Sequence, residues 1–157
     1  MDTVGLSVLV TEIEIDCAVI QAAARKAELR LSETTDGRLE ACAFELARLY
    51  NVFERILESI CTGFENHLEK KGDYHEHLIR RLAATLPGLR PAFIPSDMVE
   101  AVRDLKGFRH RVRHAYVIVF EEDRLKRLVN RARQLAEQFP AWTKGFDEQV
   151  RAEQGWT

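Results

Sequence analysis

Residues 39–64 read LEACAFELARLYNVFERILESICTGF, and their apolar positions decide the fold class. The apolar side chains recur at steps of three and four residues: Leu39, Cys42, Leu46, Leu49, Phe53, Ile56, Ile60 and Phe64. This near-heptad spacing places them on one face of an α-helix, because an α-helix has about 3.6 residues per turn. A helix of this length buries such a face against a second long helix. The stretch therefore predicts an extended antiparallel helical pair.

Apolar residues with helical spacing also occur before and after this stretch. They predict helices over residues 9–31, 39–67, 73–86, 96 to about 115 and 122–139, with a short last helix from Pro140. Residues 87–95 hold three of the four prolines and are predicted to form an irregular connection. The β-branched and aromatic run from Tyr116 to Phe120 is predicted to be a buried extended segment or a kink. Together these features predict an all-α, up-and-down bundle of four to six helices, forming one domain over residues 1–157.

The composition excludes several classes of protein. Hydrophobic residues make up 46% of the 157 residues and charged residues 31%, which argues against a disordered chain. No apolar run approaches the ~18–20 residues that a membrane span needs, and residues 1–16 lack the features of a secretory signal. Cys17, Cys42 and Cys61 have no metal-type spacing and fall among apolar helical residues. They are predicted to be reduced core residues of a cytoplasmic protein without membrane contact.

Acidic and basic residues are distributed unevenly along the chain. Residues 1–69 carry 13 Asp and Glu against 6 Lys and Arg, whereas residues 70–157 carry 12 against 17. The basic residues concentrate in 103–113 and 124–133. The two halves could attract one another within the bundle or across a dimer, or the basic half could present a positive face to a polyanion. Charge alone favours the first explanation.

Residues 108–116 read FRHRVRHAY and bring guanidinium groups, imidazoles and a phenol into about two helical turns. The set comprises Arg109, His110, Arg111, Arg113, His114 and Tyr116. Guanidinium groups can clamp a phosphate, and imidazole changes its protonation near neutral pH. A histidine can take a proton from a ribose 2′-hydroxyl or give one to a leaving oxygen, while an arginine stabilises negative charge on phosphorus. Such a set of residues is therefore suited to phosphodiester cleavage without a metal, and exposed basic helices can have a similar composition.

The spacing of Arg109 and His114 constrains this prediction. On a straight helix, two residues five positions apart are separated by about 140° around the axis. The two side chains can meet only if the helix bends or ends between them, or if a second subunit completes the site. The run that begins at Tyr116 favours a bend, and the long apolar helices favour a symmetric dimer.

Metal binding by the histidines is disfavoured. His110 and His114 have a spacing that could hold a metal, but no nearby carboxylate or cysteine completes a ligand set. His75 and His77 are two residues apart and point about 200° apart on a helix. A capping or packing role is predicted for His75, and no metal or other cofactor is predicted for the chain.

Residues 109–116, RHRVRHAY, have the form Arg, four residues, His, one residue, Tyr. This signature resembles that of the HepT-like ribonucleases, which are toxins of the HEPN superfamily. The similarity extends to residues 50–60 (YNVFERILESI), 73–83 (DYHEHLIRRLA) and 90–129, and so covers roughly residues 35–135.

The resemblance implies a HEPN-like homodimer in which the two signatures face one cleft. It also implies metal-independent cleavage of RNA by a toxin whose antitoxin is a minimal nucleotidyltransferase. Arg109 and His114 are the implied catalytic pair, and Tyr116 is the position that such antitoxins can modify with AMP. His110, Arg111 and Arg113 are expected to help bind RNA phosphates. The superfamily most often has asparagine at the position of His110, so the role of this histidine is left open.

Two other functions are compatible with the same residues. Similar helical domains act as non-catalytic partners of nucleotidyltransferases, in which case the basic face would hold a nucleotide or the antitoxin. A purely structural dimer would show no salt-sensitive binding of RNA.

Overall fold

The computed structural model describes residues 1–66, 71–114 and 117–156, and within these ranges the chain is helical and has no β-strand. The elements are α1 (Thr3–Ser32), α2 (Arg38–Glu65), α3 (Tyr74–Leu82), a 3₁₀ turn (Ser96–Met98), α4 (Val99–His114) and α5 (Glu122–Gln154). The predicted all-α bundle is confirmed for these ranges. None of the helices in these ranges has the length and apolar character that crossing a membrane requires.

The long helical pair predicted from residues 39–64 is formed by α1 and α2. The short connection between them ends at Gly37, which has a φ of 78° and directly precedes α2. The chain reverses there, so that Met1 beside the start of α1 lies next to Gly63 near the end of α2. The facing sides of the two helices are buried, with Ile13 and Ile20 on α1 and Phe53 and Ile60 on α2 each at most 1% exposed. This pair is the base on which α4 and α5 pack.

The third helix begins where the sequence predicts but ends earlier. Asp73 caps α3 by accepting a hydrogen bond from the backbone N–H of Glu76. The helix stops at Leu82, because the Leu82 carbonyl accepts hydrogen bonds from the N–H groups of Phe93 and Ile94 at 2.7 and 3.0 Å. The irregular connection predicted over residues 87–95 thus folds back on the helix and satisfies its last carbonyls.

The fourth helix starts differently from the prediction. The sequence predicts that Ser96 caps this helix, because Ser96 directly precedes its first turn. Instead, Ser96 is the first residue of a 3₁₀ turn that follows Pro95 and leads directly into α4 at Val99. No side-chain hydrogen bond caps this turn. The fixed backbone of Pro95 accounts for the entry into the turn without a serine cap.

The fifth helix runs without interruption through Pro140, so the predicted break at this residue is wrong. Phe139, Trp142 and Phe146 on α5 contact Phe93, and Phe139 and Trp142 also contact Phe53 of α2. Ring centroids in these pairs lie 5.4 to 6.5 Å apart. Aromatic packing on both sides of Pro140 offsets the backbone hydrogen bond that a proline cannot make.

The segment before α5 is non-helical, as predicted, but it is not buried. Val117 and Val119 are each 86% exposed. Phe120 is half-buried against Phe108, with ring centroids 6.2 Å apart. The β-branched run therefore crosses the surface between α4 and α5.

Candidate functional site

Helix α4 positions the predicted site, and it is regular through both members of the predicted catalytic pair. It runs from Val99 to His114, so it does not end between Arg109 and His114. The angular separation of about 140° that five helical residues impose is therefore retained in one subunit.

Arg109 lies in the interior between α4 and α2. It is 5% exposed, and its Nη2 donates a hydrogen bond to Glu54 Oε1. Its guanidinium carbon lies 5.5 Å from the centre of the Tyr50 ring, which adds a cation–π contact. Burial, followed by the neighbouring Glu54 carboxylate, raises the pKa of Tyr50, so this phenol stays neutral. Among the described residues, Arg109 Nε is buried and has no hydrogen-bond partner.

Glu54 has a second partner on α3. The Nδ1 atom of His75 lies 2.6 Å from Glu54 Oε2, and the His75 ring also packs against Tyr74 with centroids 5.4 Å apart. The packing role expected for His75 is thus observed. The carboxylate of Glu54 is held from both sides and fixes Arg109 in one position.

His114 lies exposed at the last turn of α4. Its Nδ1 is 2.8 Å from the backbone carbonyl of His110, an acceptor, so this contact requires a proton on Nδ1. In the neutral ring the lone pair is then on Nε2. The His110 and His114 rings stack with centroids 4.3 Å apart. This arrangement presents an oriented imidazole whose Nε2 can accept a proton.

The predicted site residues line two different clefts on either side of Val112. The first, the α4–α5 cleft, has a volume of about 430 Å³. Its polar lining includes His110, Arg111, His114, Glu121 and Arg124. The second, the α2–α4 cleft, has a volume of about 420 Å³. Its lining comprises Phe44, Ala47, Arg48, Asn51, Arg109, Val112 and Arg113. One subunit therefore brings His110, Arg111 and His114 together and keeps Arg109 and Arg113 apart from them.

Much of the basic charge before the site is paired within the fold. Glu76 binds Arg103 Nε and Lys106 Nζ, each at 2.9 Å. Burial opposes ionisation of Glu76, but the hydrogen bonds from Arg103 and Lys106 outweigh it and lower the pKa of this carboxyl. Arg131 pairs with Asp104 at 3.2 Å. These pairs all lie within residues 70–157, so they neutralise basic charge locally, while Arg111 and Arg113 stay exposed on α4.

Tyr116, predicted as a modification site, lies outside the described residues. In the described ranges, no three or more His, Cys, Asp or Glu side chains are grouped so that they could hold a metal ion.

The sequence interpretation did not single out Glu54, which is the main partner of Arg109. The sequence does contain an indication of this role, because Glu54 occurs beside Phe53 in the apolar stripe of α2. In the structure its side chain is only 8% exposed. A carboxylate at such a position needs a cationic partner. Phe44 and Asn51 of the α2–α4 cleft, and Arg124 of the α4–α5 cleft, were also not identified, because only the tertiary fold brings these residues beside α4.

The helical architecture and the Arg109-to-His114 segment on its fourth helix define an all-α bundle of the HEPN-like class. A family model described as HepT-like protein matches residues 41–150, more than half of the chain. The chain therefore belongs to the HepT-like protein family. No curated protein and no solved structure matches it.

Proposed function

We propose that this chain is the toxin of a toxin–antitoxin pair and cleaves RNA as a metal-independent endoribonuclease. The main support for the proposal is the exposure, orientation and position of the His114 ring. Its ring is exposed, oriented through Nδ1, and borders a cleft that Arg111 and Arg124 also line. Membership of the HepT-like family supports the same activity.

The proposed reaction is a transesterification within the RNA chain. His114 Nε2 accepts the proton of the ribose 2′-hydroxyl, and the 2′-oxygen attacks the adjacent phosphorus. The bond to the 5′-oxygen breaks, this oxygen takes up a proton, and the products are a 2′,3′-cyclic phosphate and a 5′-hydroxyl end. Arg109 stabilises the negative charge on the phosphoryl oxygens, with help from His110, Arg111 and Arg113.

The proposal includes a homodimer, because one subunit does not bring the two residues of the predicted catalytic pair into one cleft. Arg109 and His114 line separate clefts on the two sides of Val112. A two-fold contact that sets the α2–α4 cleft of one copy against the α4–α5 cleft of the other would bring Arg109 and His114 together.

Cleavage of single-stranded RNA in the presence of EDTA tests the proposal. We expect cleavage by the wild-type protein and its loss in Arg109→Ala and in His114→Ala. Lys144→Ala is the matched control, because Lys144 is exposed on α5 and lies outside both clefts. Full activity of either site variant would refute the assignment of that residue.

A second function is favoured by the burial of Arg109. Because its Nη2 is committed to Glu54, the basic face could hold a nucleotide or a nucleotidyltransferase without any cleavage. In that case wild type and His114→Ala would both leave RNA intact, and both would bind the ligand with strong dependence on salt.

The partner belongs to the proposal as well. A toxin of this kind would act in the cytoplasm and be silenced by a nucleotidyltransferase-type antitoxin that transfers AMP to Tyr116. The intact mass of the protein, purified from cells with and without a co-expressed minimal nucleotidyltransferase, would reveal an added AMP. The Tyr116→Phe variant should not show this addition.

A further inference from the structure

Helix α1 has two apolar faces, only one of which is covered by the rest of the chain. The inner face packs on α2 and α5 through Leu6, Leu9, Ile13, Cys17, Ile20, Ala23, Ala24 and Ala27. At about 100° per residue, the opposite face carries a second set of small or apolar side chains. This outer face comprises Val4, Val8, Thr11, Ile15, Ala18, Ala22 and Leu29.

The large residues of the outer face are strongly exposed. Val4 is 71% exposed, Val8 53%, Ile15 63% and Leu29 56%. Single exposed apolar residues are ordinary on protein surfaces. Here, however, the positions advance by alternating steps of four and three from 4 to 29, and all of them except Arg25 carry small or apolar side chains. This regular seam extends over about 38 Å of helix and is typical of a surface that packs against another helix.

The charged residues beside this seam indicate which molecule packs against it. The first half of α1 contains Glu12, Glu14 and Asp16 and no basic residue. In the second half, Arg25 and Lys26 are exposed. Asp16 already pairs with Arg55 of α2, whereas the other four make no ion pair with any residue that the structure describes. An antiparallel copy of α1 would set the first half, with its three acidic residues, against the second half, in which Arg25, Lys26 and Arg30 outnumber Glu28. A parallel copy would set like charges together.

We propose that the outer face of α1 binds α1 of a second copy of this chain in antiparallel orientation. The contact is centred between Ile15 and Ala18, so that Ile15 packs on Ala18 of the second copy. Val4 then meets Leu29 of the second copy at each end of the seam. Helix α1 lies outside the residues that the family model matches and outside both clefts of α4. The interface is therefore distinct from the dimer proposed for RNA cleavage, and together the two would build an assembly larger than a dimer.

Disulfide cross-linking tests the orientation. Val4→Cys and Leu29→Cys chains of different mass are mixed and oxidised mildly, and the products are weighed intact. The native thiols do not interfere, because Cys17, Cys42 and Cys61 are buried. We expect Val4→Cys to cross-link to Leu29→Cys in preference to itself, with Lys144→Cys as the control that does not cross-link. Equal or preferential pairing of Val4→Cys with itself would overturn the antiparallel contact.

Sedimentation equilibrium tests the contribution of the seam and of the charges. We expect Ile15→Glu, and separately Glu12→Lys with Glu14→Lys, to weaken this self-association at least tenfold. Adding Arg25→Glu and Lys26→Glu to the Glu12→Lys, Glu14→Lys chain should restore it. All these positions are exposed, so circular dichroism should show an unchanged fold. Assembly that is unaffected by Ile15→Glu, or is not restored by the fourfold exchange, would refute the proposal. Because these variants leave α4 intact, RNA cleavage reports separately on the proposed function.

Discussion

Arg109 of α4 donates a hydrogen bond to Glu54 of α2, and both side chains are at least nine-tenths buried. Glu54 is also bound by His75 of α3, so one carboxylate links three helices. An ion pair in such a position requires both partners, because a single buried charge without its counter-charge is strongly disfavoured. The fold of the bundle and the position of the predicted catalytic arginine therefore depend on the same interaction.

Glu54→Gln should destabilise the protein by about 3–5 kcal/mol, since it leaves Arg109 buried without a counter-charge. Urea unfolding measures this loss. Glu40→Gln is the matched control, because Glu40 is exposed in the first turn of the same helix. Replacing both partners, Glu54→Leu with Arg109→Met, should lower the free energy of unfolding by less than the two single changes do together. Additive losses would show that the pair does not act as a unit.

Arg90 is a second buried arginine whose ion pair should stabilise the fold. Its side chain is fully buried, binds Glu65 through Nε and Nη2 at 3.0 and 2.7 Å, and donates to the carbonyls of Arg81, Ala84 and Pro91. Arg90→Met should lower the free energy of unfolding by about 3–5 kcal/mol, as expected when one partner of a buried ion pair is removed.

Exposed Arg80 on α3 supplies the control for this prediction, with Arg80→Met expected to cost less than about 0.5 kcal/mol. The lower stability of Arg90→Met should be accompanied by faster amide exchange at Phe93 and Ile94, whose N–H groups donate hydrogen bonds to the Leu82 carbonyl. Unchanged exchange at these amides would contradict the proposed role of Arg90 in fixing the connection.

The helices could be predicted from sequence because their signal is local. The apolar stripe of residues 39–64 defines one face whatever the helix packs against, and Asp73 caps its helix through a bond within one turn. The break predicted at Pro140 was wrong because the tendency of proline to end a helix competes with aromatic packing against Phe53 and Phe93, which are distant in sequence. For the candidate site, the angle between Arg109 and His114 followed from helix geometry. The pairing of Arg109 with Glu54, 55 residues earlier, is tertiary and could not be derived from the segment itself.

Pro140→Ala tests whether α5 is continuous because aromatic packing offsets the unfavourable effect of this proline. Alanine would restore a backbone N–H within the helix and relieve the clash of the proline ring with the preceding turn, a conflict that costs up to about 3 kcal/mol in a helix interior. Since Pro140 is exposed, the change removes little packing. We expect thermal unfolding at a higher temperature, with unchanged helical content by circular dichroism. Lower stability would indicate that the proline ring packs favourably in this helix.

The buried thiols should make stability fall at alkaline pH. Burial raises the pKa of Cys42 and of Cys61 from 9.0 to about 11 in each case. Between pH 9 and 11 the unfolded chain therefore loses thiol protons that the native chain keeps, and the free energy of unfolding falls as the pH rises. Each thiol adds at most about 1.4 kcal/mol per pH unit to this slope.

Urea unfolding at several pH values, compared between wild type and the Cys42→Ala, Cys61→Ala variant, isolates this contribution. The variant should show a shallower decline, since all other alkaline titrations are common to both proteins. Identical slopes would show that the two thiols titrate alike in the native and unfolded chains.

Subunit mixing can decide whether Arg109 and His114 act from different copies. Suppose that each proposed site takes Arg109 from one subunit and His114 from the other. A mixed dimer of Arg109→Ala and His114→Ala chains then has one site with both residues mutated and one site with both intact. Random association of equal amounts makes half of the dimers mixed, so about one quarter of wild-type cleavage should return. Co-expression of the two variants with different affinity tags allows the mixed dimer to be isolated, and neither variant alone should cleave. If both residues acted within one subunit, every site in the mixed dimer would lack one of them and no cleavage would return.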